Sequence, residues 1–113
     1  MKPMPFAYFK EKIEPLENAK ISIASNSLQY GTTCIGGIRG YLVDGKARVF
    51  RLEDHHQRLM NGAKILGLNF SIDYQSFKEI IKELILKNTP CTDFYFRPFI
   101  YSQDMKLGPK PVG

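Results

Sequence analysis

Asp93-Phe94-Tyr95-Phe96-Arg97-Pro98-Phe99-Ile100-Tyr101 is an aromatic run near the end of the chain. Read as a strand, it alternates faces with a period of two. Tyr95, Arg97, Phe99 and Tyr101 then share one side, and Phe94, Phe96, Pro98 and Ile100 share the other. The first side sets a guanidinium between phenols on an aromatic surface. Arg offers a planar fork of donors, so such a surface suits a carboxylate or phosphate. The same pattern also fits a half-buried strand whose Arg pairs with a structural acid, and the segment alone leaves both readings open.

Upstream, two helices and a hairpin are legible. Phe77, Ile80, Ile81, Leu84 and Ile85 form one continuous apolar stripe at helical spacing. Asp73 is placed to cap its start, Glu83 and Lys87 can pair across a turn, and Thr89-Pro90 ends it. Leu52, Leu59, Ala63 and Leu66 predict an earlier helix, with Glu53 and Asp54 at its amino-terminal end and Gly67 as a left-handed stop. Asp44-Gly45, between Tyr41-Leu42-Val43 and Ala47-Arg48-Val49-Phe50, predicts a two-residue hairpin, because both turn positions favour positive φ. Toward the amino terminus, Phe9 to Ile13 and Lys20 to Ile23 read as strands, and Ser25-Asn26-Ser27 as a loop. Glycines at 31, 36, 37 and 40 point to close backbone approach or a sharp turn. Strands, two helices and then the aromatic strand make an α+β layer, a mainly antiparallel sheet with both helices packed on one face.

The 113 residues suffice for one domain with a modest core, expected over residues 1–102. Residues 103–113 have the composition of a linker, which suggests that the parent chain continues. No apolar run reaches membrane-spanning length, and the start lacks the apolar stretch of a signal peptide. Cys34 and Cys91 have no metal spacing and could form one disulfide at most; reduced thiols in the cytoplasm are the default. The net charge of +5 is spread along the chain, so it permits an anionic partner without naming one.

Catalytic patterns are sparse. No Ser-His-Asp or Cys-His arrangement stands out. His55 and His56 are adjacent, so on a helix they point about 100° apart and cannot chelate one metal; solvated or capping roles are expected for both. Arg58 borders the apolar stripe. It fits either an i, i+4 pair with Asp54, worth ~0.3–0.5 kcal/mol, or a phosphate clamp at the domain edge. Arg39-Gly40-Tyr41 opens like an aromatic RNA-binding strand, but Leu42-Val43-Asp44 breaks that pattern, and nucleic acid ranks below a small-molecule ligand.

Three segments, taken in order, resemble the branched-chain amino-acid aminotransferases within the fold-type IV pyridoxal-phosphate enzymes. Tyr30-Gly31-Thr32-Thr33-Cys34-Ile35-Gly36-Gly37-Ile38-Arg39 is similar to that family's Tyr-Gly-Thr…Phe-Glu-Gly-Ile-Arg stretch. Phe50-Arg51-Leu52 through His55 and His56 to Arg58-Leu59 is similar to its Phe-Arg-Leu…His…Arg-Leu helix. Tyr95-Phe96-Arg97-Pro98 is similar to its Tyr-Ile-Arg-Pro strand. The likeness covers roughly residues 20 to 110, and three ordered motifs are far more specific than one.

The resemblance implies pyridoxal 5'-phosphate as cofactor, with Arg58 on its phosphate. It implies that Tyr95 contacts the substrate carboxylate and that Arg97 with Tyr30 receives glutamate's distal carboxylate. Ile35 falls where the family usually has Phe lining the pocket, and Gly36 where it usually has Glu. Both departures bear on substrate preference; D-amino-acid aminotransferases and aminodeoxychorismate lyases share the fold, and Tyr95 with Arg97 favours the branched-chain group. The resemblance further implies amino-acid and 2-oxo-acid substrates, a homodimer, and a larger following domain that contributes the cofactor-bearing lysine. Lys106 and Lys110 lie in the expected linker and do not match that lysine. The chain then supplies one wall of the site and has no turnover alone, and apolar surface should be exposed where the second domain docks. A non-catalytic module that binds an anion or a partner is the reading from another class.

Overall fold

The structure, a computed structural model, describes residues 3–22 and 33–101. Tyr30, the loop expected at residues 25–27 and the expected linker lie outside the described residues. Among the described residues, strands and α-helices follow in the order β1 (Phe6–Phe9), β2 (Lys12–Pro15), β3 (Thr33–Ile35), β4 (Ile38–Val43), β5 (Lys46–Val49), α1 (Leu52–Ile65), α2 (Tyr74–Asn88), β6 (Phe94–Phe96) and β7 (Phe99–Tyr101). A 3-10 turn, Leu16–Asn18, follows β2.

The centre of the fold is one long antiparallel ladder. β3 pairs with β7 from Thr33 opposite Tyr101 to Ile35 opposite Phe99. β4 pairs with β6 from Ile38 opposite Phe96 to Gly40 opposite Phe94. The two pairings keep one register, so Gly36 faces Pro98 and Gly37 faces Arg97 at the break between them. Pro98 has no N–H to donate, which removes one rung. Gly36 still donates its amide to the Pro98 carbonyl at 2.8 Å and carries the register across. β5 adds a third strand beside β4 through the Asp44-Gly45 turn, whose φ values of 51° and 75° are those of the expected tight hairpin.

Period-two alternation along the ladder decides what each side meets. Cys34, Ile38, Phe94 and Ile100 are buried on the inward face, and Ile38 is fully enclosed. Cys34, Ile38 and Ile100 pack with Leu59 and Ala63 of α1 and Phe77 and Ile81 of α2. The helices therefore cover one face of the antiparallel sheet, as the order of elements predicts.

α2 follows its expected cap and stripe. The Asp73 carboxylate accepts the Ser76 amide at 3.1 Å and the Ser76 hydroxyl at 2.6 Å, holding the first turn. Phe77, Ile81 and Leu84 are buried, and Thr89 leaves the helix in the left-handed region.

In α1 the expected stripe ends one turn early. Leu66 is 48% exposed, because the helix closes there with Gly67 at φ +71°. Gly67 N–H reaches the Lys64 carbonyl and Leu68 N–H reaches the Ala63 carbonyl, a Schellman closure. The closure turns Leu68, rather than Leu66, onto the core.

Two further differences have local causes. The strand expected across Phe9 to Ile13 is a hairpin whose turn residues, Lys10 and Glu11, take φ of 51° and 69° without a glycine. Asn88 at the end of α2 fastens this hairpin like a missing strand: its Oδ1 accepts Phe6 N–H at 2.9 Å and its Nδ2 donates to Phe6 O at 3.1 Å. Lys20, Ile21 and Ser22 belong to no strand, and Ile23 is outside the described residues. His56 is neither solvated nor a cap. Its place among Leu52, Leu59 and Ala63 turns it toward α2, where it tilts against Tyr74 and Phe77 and its Nε2 lies 2.6 Å from the Ile72 carbonyl. Both cysteines are free, Cys34 buried and Cys91 exposed.

Candidate active-site face

The outward face of the ladder holds most of the expected site residues. Ile35 stands beside Phe99, Arg39 beside Tyr95, and Gly37 opposite Arg97. Ile35 is 58% exposed, Phe99 55% and Tyr95 43%, an open apolar and aromatic strip. The Arg97 guanidinium lies over the Tyr95 ring, 5.7 Å from its centroid. Among the described residues no carboxylate pairs with Arg97 or Arg39. Asp93, the nearest acid in sequence, instead accepts the Leu42 amide at 3.0 Å. The structural acid that the strand pattern left open is therefore absent from the described residues, and the face presents two unpaired guanidiniums flanked by exposed apolar groups.

Arg58 is exposed, on α1. Its alternative partner is taken: Arg51 Nε and Nη2 both reach Asp54 Oδ2 at 2.7 Å. Arg58 has no ion pair or ring contact among the described residues. The next residue, Leu59, packs beneath the ladder's break, with its Cδ1 3.8 Å from where a Gly36 side chain would begin. Gly36 accordingly faces Leu59 and Pro98 on the inward side, whereas Ile35 faces outward. Tyr30 lies outside the described residues.

Geometry thus gathers Ile35, Tyr95 and Arg97 on one face, and places Arg58 on α1, next in sequence to the Leu59 that packs beneath the break. Sequence reasoning did not single out Gly37 or Arg39 as site residues. Their signal is the register that sets them against Arg97 and Tyr95, and a register between strands so far apart in sequence is invisible before the strands are paired. A groove of about 450 Å³ lies elsewhere, between the starts of the two helices, and is lined by Leu52, Tyr74, Lys78 and Lys82 among others; none of the expected site residues borders it. Among the described residues no group of His, Cys, Asp and Glu could hold a metal, and no helix is long and apolar enough to cross a membrane.

Comparison with known proteins bears on the family and the fold. The pattern of the family described as amino-transferase class IV matches residues 37–112. A probable branched-chain-amino-acid aminotransferase of Synechocystis is 41% identical over 111 residues, covering 95% of this chain and 35% of the relative. The branched-chain-amino-acid aminotransferase of Escherichia coli K12 is 34% identical over 110 residues, again spanning 35% of its length. Among solved structures, the Escherichia coli enzyme superposes with a TM-score of 0.87 at 33% identity, over 98% of this chain and 38% of that one. A second solved branched-chain aminotransferase, that of T.th. in complex with N-(5'-phosphopyridoxyl)-L-glutamate, gives 0.87 at 30% identity, over 96% of this chain and 36% of that one. The chain therefore spans about a third of the length of the relatives it matches, and its fold is that of fold-type IV enzymes. With the family pattern matched over more than half its residues, this chain belongs to the class IV amino-transferases.

Proposed function

We propose that the chain is the small domain of a branched-chain aminotransferase that moves an amino group between branched-chain L-amino acids and 2-oxoglutarate. The observation that carries this reading is the outward face itself: Arg97, without an ion pair among the described residues, stacked on Tyr95 beside exposed Ile35 and Phe99. A pocket serving both leucine and glutamate needs an apolar wall for one side chain and a cation for the other. The apolar strip gives the first, and Arg97 receives the distal carboxylate through charge-assisted hydrogen bonds. Tyr30 is its expected companion in that task. Tyr95 donates its phenol to the substrate's main carboxylate. When a bare aliphatic side chain is bound, cation–π contact with Tyr95 keeps the guanidinium from being left without any partner.

The residues fit pyridoxal 5'-phosphate as far as this domain reaches. Arg58 is exposed and unpaired among the described residues, as a phosphate clamp must be, and its planar fork suits phosphate better than a lysine would. Bound there, the cofactor supplies the electron sink that lets an amino group change carbon skeletons. The lysine that holds it and shuttles the proton comes, in this reading, from a larger domain after residue 113, with residues 103–113 as the link. The relatives' greater length supports that reading. The 113 residues alone would then be inactive, and the whole protein would act as a homodimer in the cytoplasm.

The test is a panel of L- and D-amino donors with 2-oxoglutarate, run on the intact protein. L-leucine, L-isoleucine and L-valine should be the best donors. A preference for D-donors would move the chain to the D-amino-acid aminotransferases, and no transfer from any donor would favour a non-catalytic anion-binding module.

A further inference from the structure

We propose that Gly37 is a positioning residue for the Tyr95–Arg97 pair, and that its missing side chain sets where an acidic substrate's distal carboxylate is received. A Cβ built on Gly37 would lie inside the contact radius of the Tyr95 hydroxyl oxygen, 3.1 Å from Cζ and 3.5 Å from Cε2. The phenol therefore lies against the bare backbone of the neighbouring strand. Tyr95 pairs with Arg39, so its ring leans diagonally to reach Gly37, which sits opposite Arg97.

The result is three layers: Gly37 backbone, Tyr95 ring, Arg97 guanidinium over that ring at 5.7 Å. Tyr95 is 43% exposed, so no surrounding core fixes its ring. Contact with the glycine strand is what limits its approach to the sheet. A methyl group at residue 37 would lift the phenol, and the guanidinium above it would have to move as well. Gly36 has a different task, since its own Cβ position meets Pro98 Cγ at 3.2 Å on the inward side. The functional consequence rests on the proposed transaminase reading; the packing does not.

The experiment uses the intact protein as Gly37→Ala, Tyr95→Phe and the double variant, with KM and kcat measured for L-glutamate and L-leucine. Displacing an aligned group by about an ångström costs on the order of tenfold to a hundredfold. Gly37→Ala should raise the glutamate KM by about that much; the leucine KM should rise too, because Tyr95 serves the main carboxylate of both donors, but by less, since leucine makes no use of the displaced Arg97. In the Tyr95→Phe background most of this loss should vanish, because the hydroxyl that the methyl strikes hardest is gone and only the 3.1 Å approach to Cζ remains. An equal loss with Phe and with Tyr at residue 95, or no loss in either, would overturn the proposal. Ring-labelled tyrosine NMR reads the packing without turnover: the Tyr95 resonance should shift in Gly37→Ala, and an unmoved resonance also overturns it. If the wild type transfers no amino group while that resonance shifts, the transaminase reading fails and the packing survives.

Discussion

Replacing Arg97 with alanine should separate acidic from aliphatic substrates. Arg97 has no ion pair among the described residues, so its removal strands no buried acid. What the fold loses is one exposed cation–π contact with Tyr95, worth about 0.5–1 kcal/mol. The melting transition should therefore barely move, and any large kinetic effect can be assigned to binding. A hydrogen bond to a charged partner contributes about 1.5–3 kcal/mol. At roughly 1.4 kcal/mol per factor of ten, the KM for L-glutamate should rise about tenfold to a hundredfold. L-leucine and L-valine, which offer Arg97 no distal carboxylate, should keep nearly their original KM. Steady-state kinetics on the intact protein reads both numbers, and Arg97→Lys should recover only part of the loss, since an ammonium lacks the planar fork. Equal losses for glutamate and leucine would refute the reasoning, because Arg97 would then be holding the site together rather than reading a side chain.

Three other outcomes follow from the packing. Asn88→Ala removes both bonds to Phe6 and the Nδ2 bond to the Leu84 carbonyl. It should cost about 1–3 kcal/mol and strip hydrogen-exchange protection from Phe6 while leaving Ile38 protected; an unchanged Phe6 amide would contradict the clasp. Asp73 is held below the ordinary carboxylate range by the Ser76 hydroxyl first and the Ser76 amide second. A carboxyl whose folded pKa is depressed adds stability above its unfolded value and loses it as pH falls through the folded value. Asp73→Asn should therefore flatten the acid limb of the stability curve below about pH 4, and an unaltered limb in urea unfolding would remove Asp73 from that role. Ile38→Ala, at the fully enclosed centre of the ladder, should destabilise by about 2–5 kcal/mol; a shift under 1 kcal/mol, by the same cavity reasoning, would mean the core lies elsewhere.

What could be read from the chain divides along a physical line. Features set by neighbours in sequence were legible: the stripe from Phe77 to Ile85, the Asp73 cap, the Asp44-Gly45 turn and the Gly67 stop. Period two separated Tyr95, Arg97 and Phe99 from Phe94, Phe96 and Ile100 before any strand had a partner. Features that depend on a tie broken by tertiary packing were not legible. Lys10 and Glu11 adopt a left-handed turn that their residue types do not favour, because the flanking strands pair and Asn88 anchors one of them. Leu66 and Leu68 exchange roles because the Schellman closure swings the chain back after one extra residue. The candidate site shows the same division. The outward face was visible, yet the stacking of Gly37, Tyr95 and Arg97 needed the cross-strand register. The residues alone left Arg58 between Asp54 and a phosphate, and the family resemblance favoured the phosphate; the structure adds that Asp54 is taken by Arg51.

The most direct test is a crystal structure of the intact protein bound to a phosphopyridoxyl adduct of L-glutamate. The account predicts the Arg58 guanidinium on the phosphate oxygens at about 2.7–2.9 Å and Arg97, still stacked on Tyr95, on the distal carboxylate. A phosphate held without Arg58, or a distal carboxylate turned away from the face of Ile35, Tyr95 and Arg97, would contradict it.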